Sequence, residues 1–500
     1  MKSHGIKSLV VVGGGSAGWM AASYFAKKFM GTDLEISLVE SSEIGSVGVG
    51  EATVPAIKYF LSELDIDEKE FVRSTNATFK LGIDFKGWCN QKSRFFHPFA
   101  KFGCRIGSVD FINYWTKARL SGCLEPIDAY SLPAQIARYG RFAIPKANAE
   151  SDGMLNFNYA YHFDSSLFAA YLKSISVKMG VKSIDGTIKT IEKYESNGAV
   201  KSLILEDGSE IFGDFYIDCS GFSGLLINSL DSEYEDWSDL LPCDSACVAQ
   251  TKTCDDLGAY TTSTAMSSGW RWSIPLQNRV GNGYVYSSKF IDDERAKNEF
   301  LDSLGEDPIT GPKVIKFRPG QKKRVWVGNV FSVGLSSGFL EPLESTSLYL
   351  VQYSLLVLFN NFPSDVRNDY LSRKVNDQVY RQVYNMRDFL VAHYCNNDRN
   401  GEPFWDYCRK NRLPESLLSR IEEFREGGSI DVGKDDFFKE NSWVAILTGM
   451  GVVPEYFHPK LSFLGGEAVR AELRSMKEAI DEIVPKLPTH NEFLKNNVIF

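Results

Sequence analysis

The residues with the clearest capacity for chemistry come early. The stretch "SLVVVGGGSAGWMAASYFAKKF" joins an apolar run, Leu9 to Val12, to Gly13, Gly15 and Gly18 in G-x-G-x-x-G spacing, and then to a helical pattern. Gly13 allows a tight turn, Gly15 lets backbone approach a pyrophosphate, and Gly18 lets the helix pack closely on the strand, so the spacing predicts dinucleotide binding. Gly14, Ser16 and Ala17 belong to the same turn. A second strand, "LEISLVE", ends at Glu40, 22 residues after Gly18, where a carboxylate can accept ribose hydroxyls. The alternative is a glycine-rich turn without a ligand. A fingerprint at the start of the chain leaves the remainder to complete the fold, which favours FAD over NAD.

Two later segments have the same form. "GDFYIDCSGFSGLLI" reads as a strand ending at Asp218 and a small-residue turn at Ser220 and Gly221. "RVWVGNVFSVGLSSGFLEPLESTSLYL" repeats strand, glycine turn and helix, with the helix expected to begin near Glu344 and to aim its N-terminal N–H groups at an anion. Ala52, Leu335 and Leu348 complete the expected cofactor contacts.

The elements that must position these residues are those of a mixed α/β chain. The expected fold is an FAD-binding, Rossmann-like doubly wound domain of the flavin monooxygenase type with a helical C-terminal subdomain. The FAD-binding module is read as residues 1–360, discontinuous, with β-rich substrate-side segments inserted at about 85–155 and 230–310. Residues 361–500 are read as a helical subdomain covering the substrate pocket, because apolar residues there recur at intervals of three and four. The charged run from Asp292 is expected to be the solvated face of a helix.

Composition narrows the partners. The balance of 55 Lys and Arg against 64 Asp and Glu, net −9, argues against nucleic acid and anionic membranes and for a small molecule. Nine cysteines, odd in number, show no C-x-x-C pair and no zinc-site spacing with histidine, so no metal is expected, and Cys243, Cys247 and Cys254 read as buried thiols. The N-terminal apolar run is too short for a signal peptide, and no stretch reaches the ~18 to 20 apolar residues of a membrane span. The expected location is the cytoplasm; a homo-oligomer is compatible with the sequence.

"GWRWSIP" sets Trp270, Trp272 and Ile274 on one face of a strand and Arg271 and Ser273 on the other. Standing alone it reads as core packing. Together with GGGSAGWMAA at 13–22, VGVGEATVP at 47–55, FKLGIDFKGW at 79–88, DCSGFSGLLI at 218–227 and GFLEPLESTS at 338–347, it resembles the flavin-dependent halogenases of the tryptophan halogenase family, over nearly the whole chain. In that family the W-x-W-x-I-P element separates halogenases from related monooxygenases.

The resemblance implies that reduced FAD, supplied by a separate flavin reductase acting as a transient partner, reacts with dioxygen to a flavin hydroperoxide. Halide then yields hypohalous acid, which passes to a lysine. Lys80 matches that lysine. As a residue type, lysine offers a compact donor that burial can tune towards acid or nucleophile. From its neighbours alone, Phe79, Leu81 and Ile83, Lys80 reads as a surface lysine pointing away from an apolar face. Glu344 matches the glutamate that stabilises a cationic arenium intermediate and removes its proton. As a residue on its own it could equally be an acid favoured by a helix dipole. Thr346 and Ser347 stand where the family holds halide, with Ser in place of the usual Gly.

The same resemblance places His97 and Phe99 in the pocket of a small aromatic substrate, where Phe99 can stack. Trp270, Trp272 and Ile274 would form an apolar wall keeping substrate from the hydroperoxide. Where enzymes holding free tryptophan carry Tyr-Tyr and then Glu, this chain has Ser442, Trp443 and Gly449. The charged anchor is missing and an aromatic wall at Trp443 remains, so the expected substrate is an indole or phenol and not free tryptophan. A single-component aromatic monooxygenase would need a second nucleotide fingerprint, which the sequence lacks. A non-catalytic flavin-binding protein would have no use for both Lys80 and Glu344.

Overall fold

Strand Ser8–Val12 is buried on both faces, as parallel strands covered by helices are. It lies at the centre of a six-stranded sheet in a computed structural model that describes residues 5–44, 50–145, 153, 155–230, 232–253, 257–365 and 369–499. The sheet runs, in spatial order, through Trp326–Val327, Val330–Ser332, Phe215–Asp218, Ser8–Val12, Glu35–Glu40 and Lys182–Asp185. All pairs are parallel except the first. Helix Ser16–Lys28 follows the central strand and packs against helix Ser165–Lys178. These elements belong to one compact unit, Met1–Asn76, Phe163–Ser238 and Phe317–Tyr384. Residues 47–49 of VGVGEATVP, and Cys254, lie outside the described residues.

A second unit comprises Ala77–His162, Asp239–Lys316 and Asn385–Phe500. Its seven-stranded sheet has the order Thr310–Lys316, Ser245–Lys252, Arg279–Tyr286, Gly269–Pro275, Thr261–Met266, Gly82–Lys86 and Arg94–Pro98. Neighbours are antiparallel except Thr261–Met266 with Gly82–Lys86. Of the segments read from sequence as insertions, that at about 85–155, and that at about 230–310 from Asp239 onward, fall in the same unit as the chain from Asn385 onward, while 230–238 belongs to the first unit. Within the region read as helical from 361, helix Asp369–Cys395 passes from the first unit into the second.

The alternation of Phe79, Leu81 and Ile83 does not come from one strand. Thr78–Lys80 and Gly82–Lys86 are separate strands in different sheets. The break has a steric cause: a Cβ on Gly82 would lie 2.2 Å from the His97 carbonyl oxygen, so the chain turns closely past the neighbouring strand there. Helix Asp293–Leu304 buries only Ala296 and Phe300, one turn apart, and Asp292 caps it by accepting the Arg295 N–H. Its remaining face is solvated, as the charge run predicts. Among the described residues no helix is long and apolar enough to cross a membrane, and no cluster of three or more His, Cys, Asp or Glu could hold a metal. The described cysteines are free thiols, with Cys243 and Cys247 fully buried.

Candidate active site

In the first unit the parallel register sets Val12 opposite Asp218 and Val39, and Asp218 opposite Ser332, so these strands end at one level. The chain then turns three times side by side. Gly13 N–H donates to the Val39 carbonyl (2.8 Å), Cys219 N–H to Val12 (2.8 Å) and Val333 N–H to Asp218 (2.9 Å). The carboxyl ends of parallel strands are where open α/β sheets bind ligands. Ser336 Oγ donates to the Asp218 carbonyl, and a Cβ on Gly334 would lie 3.1 Å from that of Ala17, so the turn carrying Leu335 sits against the fingerprint. Asp218 itself is structural: its carboxylate accepts from Ser220, Leu226 and Ile227 N–H groups and fixes the turn that follows.

The three glycines fit a bound dinucleotide. Gly13 has φ +115°, and a Cβ on it would meet the Cys219 carbonyl oxygen at 2.2 Å; one on Gly18 would lie 1.8 Å from the Gly13 oxygen. Gly15 instead faces open space, with nothing within 4 Å of its would-be Cβ, as a pyrophosphate cradle requires. Glu40 is more committed than its position in sequence suggests. Its Oε1 accepts from Lys173 Nζ (2.6 Å) and Ser183 Oγ (3.2 Å), and its Oε2 from Trp19 Nε1 (3.2 Å). With two lone-pair directions per oxygen, Oε2 retains room for one more donor.

The segment after the third turn differs from the expected helix start. Helix Ser347–Asn360 begins three residues beyond Glu344. Glu344 and Ser345 have φ +65° and +59°, left-handed conformations in which an α-helix cannot run, so the helix begins only after them. Two adjacent non-glycine residues in this region cost roughly 1–3 kcal/mol each, strain that clusters at functional sites. The Glu344 side chain is buried. Thr346 is buried at the N-cap position without a side-chain cap bond, Ser347 is half-buried, and Leu348 is buried in the first turn.

In the second unit, Lys80 ends strand Thr78–Lys80 with no exposed surface, which excludes the surface lysine that its neighbours suggest. Its Nζ stands 5.4 Å from the centroid of the Phe99 ring, within cation–π range. Phe99 N–H donates to the Leu81 carbonyl (3.0 Å), which carries the pairing of strand Arg94–Pro98 one residue further. Phe95, His97 and Phe99 share one face of that strand. His97 is buried against Phe389 and Phe438, and Phe389 in turn meets Trp443 edge-on at 5.0 Å. Trp443 is itself fully buried, with the Arg420 guanidinium 4.9 Å over its ring. Gly449 leaves room for the Phe95 ring, whose nearest carbon a Cβ would meet at 2.3 Å.

Trp270, Trp272 and Ile274 share a buried face on strand Gly269–Pro275, the two indoles 6.1 Å apart. Trp270 also packs 6.0 Å from Trp88, which touches Trp405 and Tyr394. Two residues that the motifs did not flag stand beside the lysine strand. His162 is buried between Thr78 (3.0 Å) and Thr261 (2.9 Å), and burial together with the Lys80 charge holds its pKa well below the usual histidine value. His490 accepts the Phe79 N–H (3.2 Å), and burial lowers its pKa to about 4. The capping box Thr489-x-x-Glu492 is legible in the sequence and fixes where that short helix starts. Contact across 411 residues is not legible.

Glycine turns at the carboxyl ends of a parallel sheet define a dinucleotide-binding enzyme, and the solved structures it is similar to are flavin-dependent halogenases. The chain belongs to the tryptophan halogenase family, whose model matches residues 8–465. It is 33% identical to the tryptophan 7-halogenase RebH of Lentzea aerocolonigenes, covering 98% of each chain. Among solved structures, BrvH, a flavin-dependent halogenase from Brevundimonas sp. BAL3, is 38% identical with a TM-score of 0.93, covering 98% of this chain and 99% of that one. Xcc4156, a flavin-dependent halogenase from Xanthomonas campestris, is also 38% identical with a TM-score of 0.93, covering 98% of both.

Proposed function

We propose that this chain uses reduced FAD, dioxygen and halide to make hypohalous acid, and that Lys80 relays it to an electron-rich aromatic of the indole or phenol type. Gly13 to Gly18 would hold the pyrophosphate of FAD, Glu40 one ribose hydroxyl, and Ala52, Leu335 and Leu348 the rest of the cofactor. When bound, reduced FAD supplies the electrons with which dioxygen is made to oxidise halide. A separate flavin reductase delivers it, in the cytoplasm. Thr346 and Ser347 hold the halide through hydroxyl and backbone donors at the helix start.

Lys80 donates an N–H hydrogen bond to the oxygen of the hypohalous acid. As halogen passes to the ring carbon, the ammonium proton moves to the departing hydroxide and water leaves. Glu344 stabilises the arenium cation and takes the ring proton, restoring aromaticity. Phe99 and His97 position the ring. Trp270, Trp272 and Ile274 serve as an apolar wall that keeps the organic substrate from the flavin. The observation that carries this reading is the complete burial of Lys80 with its ammonium over Phe99. A buried charge needs such partners and is rarely kept without a function.

The preference for indole or phenol over free tryptophan rests on Ser442, Trp443 and Gly449, which offer no charge to grip an amino acid. The second reading, free tryptophan, is favoured by the name of the RebH relative. Both are tested by mass spectrometry of an aromatic panel containing tryptophan and indole, with chloride, bromide and iodide and an FAD-reducing system. Bromoindole well in excess of bromotryptophan is expected. Robust turnover of tryptophan contradicts the substrate preference, and no halogenated product from any member contradicts the halogenase reading.

A further inference from the structure

The lysine strand is gripped from two sides by imidazoles whose tautomers the geometry fixes. Thr78 Oγ1 has one proton and donates it to the Pro275 carbonyl at 2.6 Å. Its contact with His162 Nδ1 at 3.0 Å is therefore an accepted bond, and the ring proton sits on Nδ1. Nε2 then accepts the Thr261 hydroxyl proton at 2.9 Å. On the other side, His490 Nδ1 faces the Leu257 carbonyl at 3.0 Å and must donate, which leaves Nε2 as the acceptor for the Phe79 N–H at 3.2 Å. All these groups are buried or nearly so, where an unmade hydrogen bond costs most. Phe493, from the same C-terminal helix as His490, packs edge-on against Phe79 at 5.4 Å.

We propose that His162 and His490 form a clamp that positions Lys80. The two neutral imidazoles lock Thr78 and Phe79, the residues just before it, so that the lysine ammonium is presented at Phe99 from a fixed backbone. The inference rests on the reading of Lys80 as the relay residue. Pro275 closes the "WRWSIP" stretch, so one hydroxyl of Thr78 ties that strand to the lysine strand. A displacement of about 1 Å at a reacting group can cost up to 10²-fold in rate, and a relay lysine held loosely would let hypohalous acid escape. His162 and His490 touch no reacting atom and are positioning residues.

The test compares Thr78→Val, which keeps the branched shape and removes both hydroxyl bonds, with Thr78→Ser, and His490→Phe with His490→Gln, which keeps an acceptor. The protein is assayed with an FAD-reducing system, bromide and indole, reading bromoindole per flavin oxidised and free hypobromite trapped by a cyclic diketone. Thr78→Val and His490→Phe should lose about tenfold in bromoindole per flavin, with the missing oxidant recovered as hypobromite and the KM for indole unchanged. The Ser and Gln variants should recover to within about twofold of the parent. Folded Thr78→Val and His490→Phe proteins with parental partition overturn the clamp.

Should either variant fail to fold, ¹⁵N spectra of labelled histidine in the parent protein decide. His162 and His490 must both be Nδ1–H tautomers, and an Nε2–H form of either overturns the clamp. Lys80→Ala, run in parallel, separates the two levels. Parental bromoindole yield in that variant overturns the relay reading. Loss of product there, with parental partition in the clamp variants, overturns the clamp alone.

Discussion

Trp272 and Gly283 face each other across the hairpin of strands Gly269–Pro275 and Arg279–Tyr286. A Cβ on Gly283 would lie 2.0 Å from Cζ2 and 2.1 Å from Cη2 of the indole. Real contacts of this kind do not fall below 3.0 Å, so Gly283→Ala must push the ring or the strand by about an ångström. Trp272 is only 7% exposed and stands beside Trp270, so little space receives it. Overpacking of this kind costs about 1–3 kcal/mol, offset by the roughly 0.5–1 kcal/mol that alanine gains over glycine within a strand. The expected net loss is about 1–2 kcal/mol. The two closest atoms, Cζ2 and Cη2, belong to the distal part of the indole that phenylalanine lacks, so Gly283→Ala in a Trp272→Phe background should cost little or nothing. The four proteins of this cycle, compared by thermal unfolding, should show a coupling of about 2 kcal/mol, a few degrees in Tm. Additivity within about 0.5 kcal/mol would refute the placement of the second tryptophan over Gly283.

His490 has a pKa of about 4 when folded, against an ordinary value of 6.5. Between those values the unfolded chain binds a proton that the folded chain does not, so stability is full above about pH 6.5 and falls as pH drops, by about 3 kcal/mol at pH 4. His162 contributes in the same direction. His490→Gln should flatten the acid limb of a Tm-against-pH curve; an unchanged limb contradicts the buried neutral imidazole. Gly15→Ala should lower the Tm of the flavin-free protein only modestly, by the loss of glycine at a helix N-cap, because its Cβ enters open space, and should weaken FAD binding by at least about tenfold in a fluorescence titration. Unchanged affinity would remove Gly15 from the cofactor site.

Much of the first unit was legible because its signals are local. Leu9 to Val12, the spacing of Gly13, Gly15 and Gly18, and the strand ending at Glu40 each follow from backbone sterics and burial over a few residues. Local periodicity misled where the chain departs from regular structure. The alternation through Phe79, Leu81 and Ile83 spans two strands, and the helix expected near Glu344 is delayed by two left-handed residues that no glycine announces. The neighbours of Lys80 suggest a solvated side chain, whereas the structure buries it, and the groups that hold its strand come from far along the chain: His162 pairs opposite Thr78, and His490 accepts the Phe79 N–H from the C-terminal helix. Trp270 and Trp272 were correctly set on one face, but that their cluster draws in Trp88, Trp405 and Tyr394 depends on tertiary packing alone.

The central claim is that Lys80 carries the oxidant to the substrate, and it is tested most directly by stoichiometry in Lys80→Ala. Flavin oxidation, dioxygen consumption and halogenated product are measured together with bromide and indole. With the cyclic diketone in large excess over indole, flavin oxidation should continue at close to the parental rate, trapped hypobromite should account for the oxidant, and bromoindole should vanish. Bromoindole formed at the parental ratio to flavin oxidised would contradict the relay.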